Sequence, residues 1–321
     1  MSSIIEKRLS RREFLAAAIA AAASWRSAGA LAAAAVSDDP GNFRAVYLDA
    51  ERRQEFFPFL QNVFHLYPED KLQALILETS REKKTDREIY EALLKAIPAV
   101  KTRLAPATYM LPALKKQKAE MTRQALSFLG KTKEVNGYLE VGTTGRYVSE
   151  LKKHLEIKGA ISIVNDVAPS YGLSDIAERG ELAKIGAFFP MGDYDALAAD
   201  KIPDASVELC VNLIGLHHAP EDRLEGFVRS LKRVLKPGGR LLLRDHDVDS
   251  PRQDTLVALA HDVFNAGLFF PWKYNHEQIR RFRSIRDWTA YLESAGFKRA
   301  EKVLAQDGDP TKNLMMEFRK A

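Results

Sequence analysis

Two textures divide the chain. Between residues 43 and 130, apolar positions recur at helical spacing: Phe56, Phe57, Leu60, Val63 and Phe64, then Leu72, Leu75 and Ile76. Thr85-Asp86-Arg87-Glu88 has the spacing of a capping box, in which hydroxyl and carboxylate each satisfy an amide at a helix start. Pro98, Pro106 and Pro112 punctuate the connections, and residues 114–129 read as a last helix stopped by Gly130. On that helix Lys115, Lys116 and Lys118 fall on the wet face; ligand contact by Gln117 or Lys118 is the lesser alternative. The pattern predicts a helical cap over residues 36–130.

From residue 138 the period changes. Short apolar runs rich in β-branched residues are expected as strands near 138–142, 161–166, 187–191, 208–214 and 240–245, with helices between them. Such βαβα alternation argues for a parallel sheet covered on both faces. After a helical stretch from about 252 to 295, two runs at 298–306 and 313–320 flank Asp307-Gly308-Asp309-Pro310-Thr311-Lys312, a connection suited to a hairpin.

Composition narrows the class. With 46% hydrophobic and 28% charged residues, the chain is not mostly disordered. One cysteine, Cys210, excludes a disulfide framework and a multi-cysteine zinc site. No run of 18 strongly apolar residues follows residue 40, so stable membrane insertion of the body is not expected. Of the net charge of +5, residues 1–35 supply +3, from Lys7, Arg8, Arg11, Arg12 and Arg26 against Glu6 and Glu13. The remaining +2 makes no broad basic field, so nucleic acid is not expected as a partner.

Residues 1–35 also carry an address. A basic start is followed by a weakly apolar, alanine-rich middle and the small-residue end Ser27-Ala28-Gly29-Ala30, the layout of a signal peptide. The core Ser10-Arg11-Arg12-Glu13-Phe14-Leu15 resembles the twin-arginine type of bacterial export signal. The resemblance implies export as a folded protein through the twin-arginine machinery to the periplasm, with cleavage between Ala30 and Val36. A cytoplasmic protein with an alanine-rich tail is the alternative.

The strongest local signal for chemistry is Tyr138-Leu139-Glu140-Val141-Gly142-Thr143-Thr144-Gly145-Arg146. A buried strand ends in an acid and enters a glycine turn, which lets backbone approach a ligand closely. Asp166 ends the next strand, 21 residues past Gly145, where an acid can accept from both hydroxyls of a ribose. Asp193 follows the third strand, placed to accept from an exocyclic adenine amine, and Asn212 closes the fourth, ahead of His217-His218.

This run of motifs, with Leu235-Lys236-Pro237-Gly238-Gly239 between a helix and an apolar strand, resembles the class I S-adenosylmethionine-dependent methyltransferases over residues 138–320. The resemblance implies an α/β fold with a seven-stranded, mostly parallel Rossmann-like sheet over 131–321, and S-adenosyl-L-methionine as cofactor. It implies that Glu140, Gly142 and Gly145 hold the amino acid end of the cofactor, joined by Thr143, with Asp166 on the ribose, Asp193 on the adenine and Asn212 as a further cofactor contact. The usual loop has a glycine where Thr143-Thr144 stand; their hydroxyls either bond the cofactor carboxylate or crowd it. A nicotinamide site would want Gly-x-Gly-x-x-Gly, which is missing.

Methyl transfer to a small molecule is therefore the expected function; the alternative is an exported, non-enzymatic ligand-binding protein on a repurposed methyltransferase fold. Transfer rests on alignment, with a base needed only where the acceptor holds a proton. His246, flanked by Asp245 and Asp247 at the end of the fifth strand, is the candidate base, with Asp247 as its carboxylate partner. His261 pairs with His246 as possible metal ligands, but no other ligand spacing supports this and no metal is expected. His217 and His218 close the fourth strand, with substrate contact the lesser alternative; the aromatic group Phe269, Phe270, Trp272 and Tyr274 is either core or an apolar substrate wall.

Overall fold

The computed structural model describes residues 41–101 and 106–321, so the proposed export signal lies outside the described residues. The helical start comprises α1 (Gly41–Tyr47), α2 (Ala50–Phe59) running into a π-helical turn (Leu60–Phe64), α3 (Glu69–Glu82), α4 (Asp86–Val100) and α5 (Leu111–Leu129). The capping box forms at α4: Glu88 N donates to Thr85 Oγ1 at 3.3 Å, and Thr85 N to Glu88 Oε2 at 3.1 Å. Gly130 ends α5 at φ +61°.

The strands are β1 (Glu134–Val141), β2 (Glu156–Asn165), β3 (Ala187–Pro190), β4 (Val207–Asn212), β5 (Leu235–His246), β6 (Phe297–Leu304) and β7 (Asn313–Lys320). They form one sheet in the order β3-β2-β1-β4-β5-β7-β6. β1 to β5 are parallel, and β7 runs antiparallel between β5 and β6. This is the expected seven-stranded, mostly parallel sheet. Between them lie α6 (Val148–Leu151), α7 (Leu173–Arg179), α8 (Glu221–Val234), α9 (Pro251–Gly267), α10 (Trp272–Glu277) and α11 (Ile285–Ser294). No helix among the described residues is long and apolar enough to cross a membrane.

Period-two alternation sends successive strand residues to opposite faces. Leu139, Val141, Cys210, Leu241 and Leu243 pack with Phe227 of α8 and Trp288 of α11. Tyr138, Leu209, Val211 and Leu242 pack on the other side with Met121 and Phe128 of α5. Both faces are covered, so the strands read as near-continuous apolar runs.

The helices before α5 do not cover the sheet directly. Phe43, Phe56, Phe64 and Tyr90 form a core with Leu256, Leu259 and Val263 of α9. Phe270 and Trp272 join this core and Tyr274 stacks on Phe270, so these three are packing there, whereas Phe269 is exposed. The cap therefore reaches the sheet edge through α9, the helix that leaves β5, and its position follows the carboxyl end of that strand.

Candidate active site

Adjacent crossovers from β1 run in opposite directions, to β2 on one side and from β4 on the other, which opens a crevice at the carboxyl edge of the sheet. The glycine turn sits there. Gly142 has φ +82°, and a Cβ on it would overlap the side chain of Ile214. Glu140 is fully buried and organises the turn from below. Its two oxygens accept from Tyr138 Oη at 2.8 Å, Tyr147 N at 3.1 Å, Val148 N at 3.0 Å and the Thr143 hydroxyl. Thr143 Oγ1 also accepts from the amides of Gly145 and Arg146. The resemblance assigns Glu140 and Thr143 to the cofactor; in the structure both turn inward as the frame of the loop, with Glu140 accepting from the two amides where α6 begins.

What the turn leaves unclaimed is beside it. The Thr144 hydroxyl and both amide atoms of Asn212 are buried without a partner. Asn212 stands in register with Val141, the last residue of β1. Orphaned polar atoms of this kind at a strand-end crevice call for a ligand, because burial without a bond costs about 1–3 kcal/mol each. They fit the polar amino acid end of the implied cofactor.

The two acids are neighbours. Asp166 Oδ1 accepts from the Asp193 amide at 3.4 Å, so the ends of β2 and β3 form one acidic ledge. Burial raises the Asp166 carboxyl, partly offset by the Asp193 amide. Burial also raises Asp193, opposed by the Arg223 guanidinium. Asp193 and Tyr194 both hold positive φ, +58° and +64°, a strained turn that sets this ledge.

On the β4–β5 side of the crevice the structure brings together four histidines that the sequence offered only as two separate pairs. His217 and His218 from the β4 exit, His246 from the end of β5 and His261 from α9 meet, with ring centroids 4.2–5.6 Å apart where paired. Gly215, at φ +90°, lets the chain fold back so that His217 Nδ1 lies 2.8 Å from Asp245 Oδ1. Asp245 is fully buried, and its other oxygen accepts from Leu216 N at 2.7 Å. Burial pushes the Asp245 carboxyl up, but His217 and these donors outweigh it and hold it below the usual range.

The carboxylate-oriented imidazole is thus His217, not His246. His246 Nδ1 faces the Thr311 carbonyl at 2.9 Å, and Asp247 Oδ1 accepts from the Ile285 amide at 2.8 Å, away from that ring. Burial, reinforced by His217, lowers His246 to about 3. A ring that weakly basic is a poor proton acceptor. Burial likewise lowers His218 and His261.

The cluster forms one wall of a cavity of about 130 Å³, comparable to the space of a single small ring. Phe59, Phe64 and Phe264 form an apolar wall, and Arg146, Tyr147 and Ile214 border the glycine turn. Two buried guanidiniums reach the cavity. Arg146 pairs with Glu178 at 3.4 Å and Gln117 at 2.9 Å but keeps Nη2 without a partner. Arg244 pairs with Asp309 at 3.5 Å and keeps Nε without one. Gln117 thus lines the cavity, whereas Lys118 is buried, contrary to its expected wet position. Its Nζ donates to the carbonyls of Glu178 at 2.8 Å and Arg179 at 3.1 Å, which dock α5 on the end of α7.

The comparisons with known proteins bear on this arrangement. Residues 139–243 match the methyltransferase domain family. Among curated proteins, the ubiquinone/menaquinone biosynthesis C-methyltransferase UbiE of Caulobacter sp. K31 is 31% identical over 109 residues, covering 30% of this chain and 41% of the relative. The protein of that name from Caulobacter vibrioides NA1000 is 30% identical over 135 residues, covering 38% and 49%. The chain spans less than half the length of these relatives. Among solved structures, the 1,6-didemethyltoxoflavin-N1-methyltransferase of Burkholderia thailandensis, with bound 1,6-didemethyltoxoflavin and S-adenosylhomocysteine, aligns at a TM-score of 0.43. Its identity is 15%, over 73% of this chain and 90% of that one. A SAM-dependent methyltransferase from Aquifex aeolicus aligns at 0.40 and 18% identity, over 66% and 98%.

Proposed function

We infer that the chain is a methyltransferase that uses S-adenosylmethionine and acts on a small acceptor bearing an acidic oxygen. The observation that carries this is the crevice: a glycine turn on β1, orphaned Thr144 and Asn212 atoms beside it, and the Asp166–Asp193 ledge across β2 and β3. When bound, the cofactor supplies an electrophilic methyl group on a sulfonium. Asp166 accepts from its ribose hydroxyls, Asp193 and its turn meet the adenine, and Thr144 and Asn212 bond the amino acid end.

The acceptor enters from the cavity on the far side of Tyr147 and Ile214. The partnerless N–H groups of Arg146 and Arg244 favour a carboxylate or phenolate oxygen there, while the Phe59, Phe64 and Phe264 wall takes an apolar ring. His217, oriented by Asp245, faces the acceptor oxygen; His246, whose ring is too weakly basic to take a proton, positions the acceptor ring. The twin-arginine resemblance of residues 10–15 supports export of the folded enzyme, so cofactor bound before translocation accounts for its activity.

Titration with S-adenosylhomocysteine, followed by methyl transfer from labelled cofactor to phenolic and carboxylic acceptors, tests the reading. Tight binding without transfer to any acceptor would leave a ligand-binding protein on this fold. Export is checked by fractionation and N-terminal sequencing; a full-length cytoplasmic product, unchanged when Arg11 and Arg12 become Lys, would refute it.

A further inference from the structure

The four histidines of the cavity wall share an arrangement that a base alone does not require. Each has its Nδ1 committed to an oxygen that can only accept: Asp245 Oδ1 for His217, the Ile279 carbonyl for His218, the Thr311 carbonyl for His246 and the Val257 carbonyl for His261. The four contacts are 2.7–2.9 Å long. Nδ1 therefore carries the hydrogen in these rings, and the Nε2 atoms of His217 and His261 face each other. An imidazole whose Nδ1–H is held by a carboxylate or carbonyl, with Nε2 presented inward, is how proteins orient histidine toward a metal.

The spacing agrees. The ligating atoms of His217, His218 and His261 all lie within 4.8 Å of one another. His217 Nε2 and His261 Nε2 are 3.3 Å apart. Two nitrogens at about 2.0–2.1 Å from one ion in tetrahedral geometry are separated by about 3.3–3.4 Å. Two imidazole lone pairs this close repel unless something positive stands between them, either a proton or a cation. The guanidiniums whose fields reach the cluster are already paired, Arg280 with Asp262 at 2.7 Å and Arg244 with Asp309 at 3.5 Å. The buried Asp245 behind His217 adds a compensating negative charge.

We propose that His217, His218 and His261 bind a divalent transition metal of the zinc class through Nε2, leaving a coordination position open to the cavity. Three neutral imidazoles suit zinc, and three protein ligands with an open fourth position are the layout of a catalytic rather than a structural site. His246 borders that position. The anionic oxygen of the acceptor takes it, beside Arg146 and Arg244; this last step rests on reading the cavity as the acceptor pocket. Cys210 is buried in β4 and takes no part.

The test uses untagged full chain, stripped with chelator and titrated with Co(II). One equivalent should bind and give the intense visible bands of a four-coordinate ion, which Zn(II) then bleaches. His218→Gln and His261→Gln, on separate elements, should each weaken binding at least 100-fold, and Asp245→Asn about 10–100-fold through loss of ring orientation. Zinc should raise the thermal midpoint of the wild type and of neither glutamine variant; comparing their melts without metal shows whether each is folded. Wild-type protein that binds no Co(II), gives only the weak spectrum of a six-coordinate ion, or binds as well after either glutamine substitution overturns the proposal. S-adenosylhomocysteine titrated into the same samples separates the two claims: lost cofactor binding with retained Co(II) binding refutes the methyltransferase reading alone.

Discussion

The two halves of the sheet edge are built on opposite plans. At β1, β2 and β3 each functional group comes from the end of its own strand, and the turn that carries it is braced by local bonds such as those from Glu140 to Thr143, Tyr147 and Val148. At β4 and β5 the groups come from the β4 exit, the β5 end and α9, and they are braced by one another and by distant carbonyls. A half whose parts are local tolerates change elsewhere in the chain. A half assembled across 44 residues, from His217 to His261, depends on the placement of the whole cap.

Substitutions test that contrast most severely at Glu140. Glu140→Ala leaves four buried donors without an acceptor, each costing about 1–3 kcal/mol, so urea denaturation should show a loss of about 4 kcal/mol or more. An effect below about 1 kcal/mol would mean that the carboxylate is not the frame of the turn.

The histidine half should show its character in pH. Burial lowers His218, His246 and His261 in the folded protein, while the unfolded chain takes up protons near the ordinary value of about 6.5. Below that pH the unfolded state binds more protons, so stability present at neutral pH is lost as pH falls. The slope should approach about 1.4 kcal/mol per pH unit for each ring, or about 4 for the three. Denaturant midpoints between pH 7 and 5 measure it, and a flat profile would contradict the burial of the cluster.

Smaller effects separate the halves. Asp166→Ala, at a partly buried acid, should weaken S-adenosylhomocysteine by about 10–100-fold through lost charge-assisted bonds, with stability changed by less than about 0.5 kcal/mol. Because its carboxyl is raised, affinity should begin to fall at a higher pH than an ordinary aspartate would give. Thr144→Val, which removes an orphaned hydroxyl, should leave free-protein stability unchanged or higher by up to about 1 kcal/mol, while lowering cofactor affinity. Calorimetry on both variants checks these values.

The same contrast explains what could be read from the chain. Asp166 and Asp193 were visible because an apolar run followed by an acid marks a strand end, and strand ends in a parallel sheet share one edge. The hairpin was visible from Asp307-Gly308 between two apolar runs. Lys118 was misplaced because helical periodicity locates a face but not what docks on it; here the last carbonyls of α7 do. Pairing Asp247 with His246 relied on chain neighbourhood, yet side chains alternate along a strand end, and the acid that reaches an imidazole is Asp245, across the β4 exit. The signal for the cluster was present in part: β4 and β5 are adjacent, so His217 and His246 had to be close. His261 was paired with His246 from the chain alone, but only the packing of α9 under the cap brings it against His217 and His218 as well.

Isothermal titration of S-adenosylhomocysteine into wild type, Asp166→Ala and His217→Ala tests the central claim most directly. The account predicts saturable binding to the wild type, weakened about 10–100-fold by Asp166→Ala through lost charge-assisted bonds and little changed by His217→Ala, whose side chain lines the cavity beyond the crevice. No binding to the wild type at millimolar ligand, or an affinity untouched by Asp166→Ala, would contradict it.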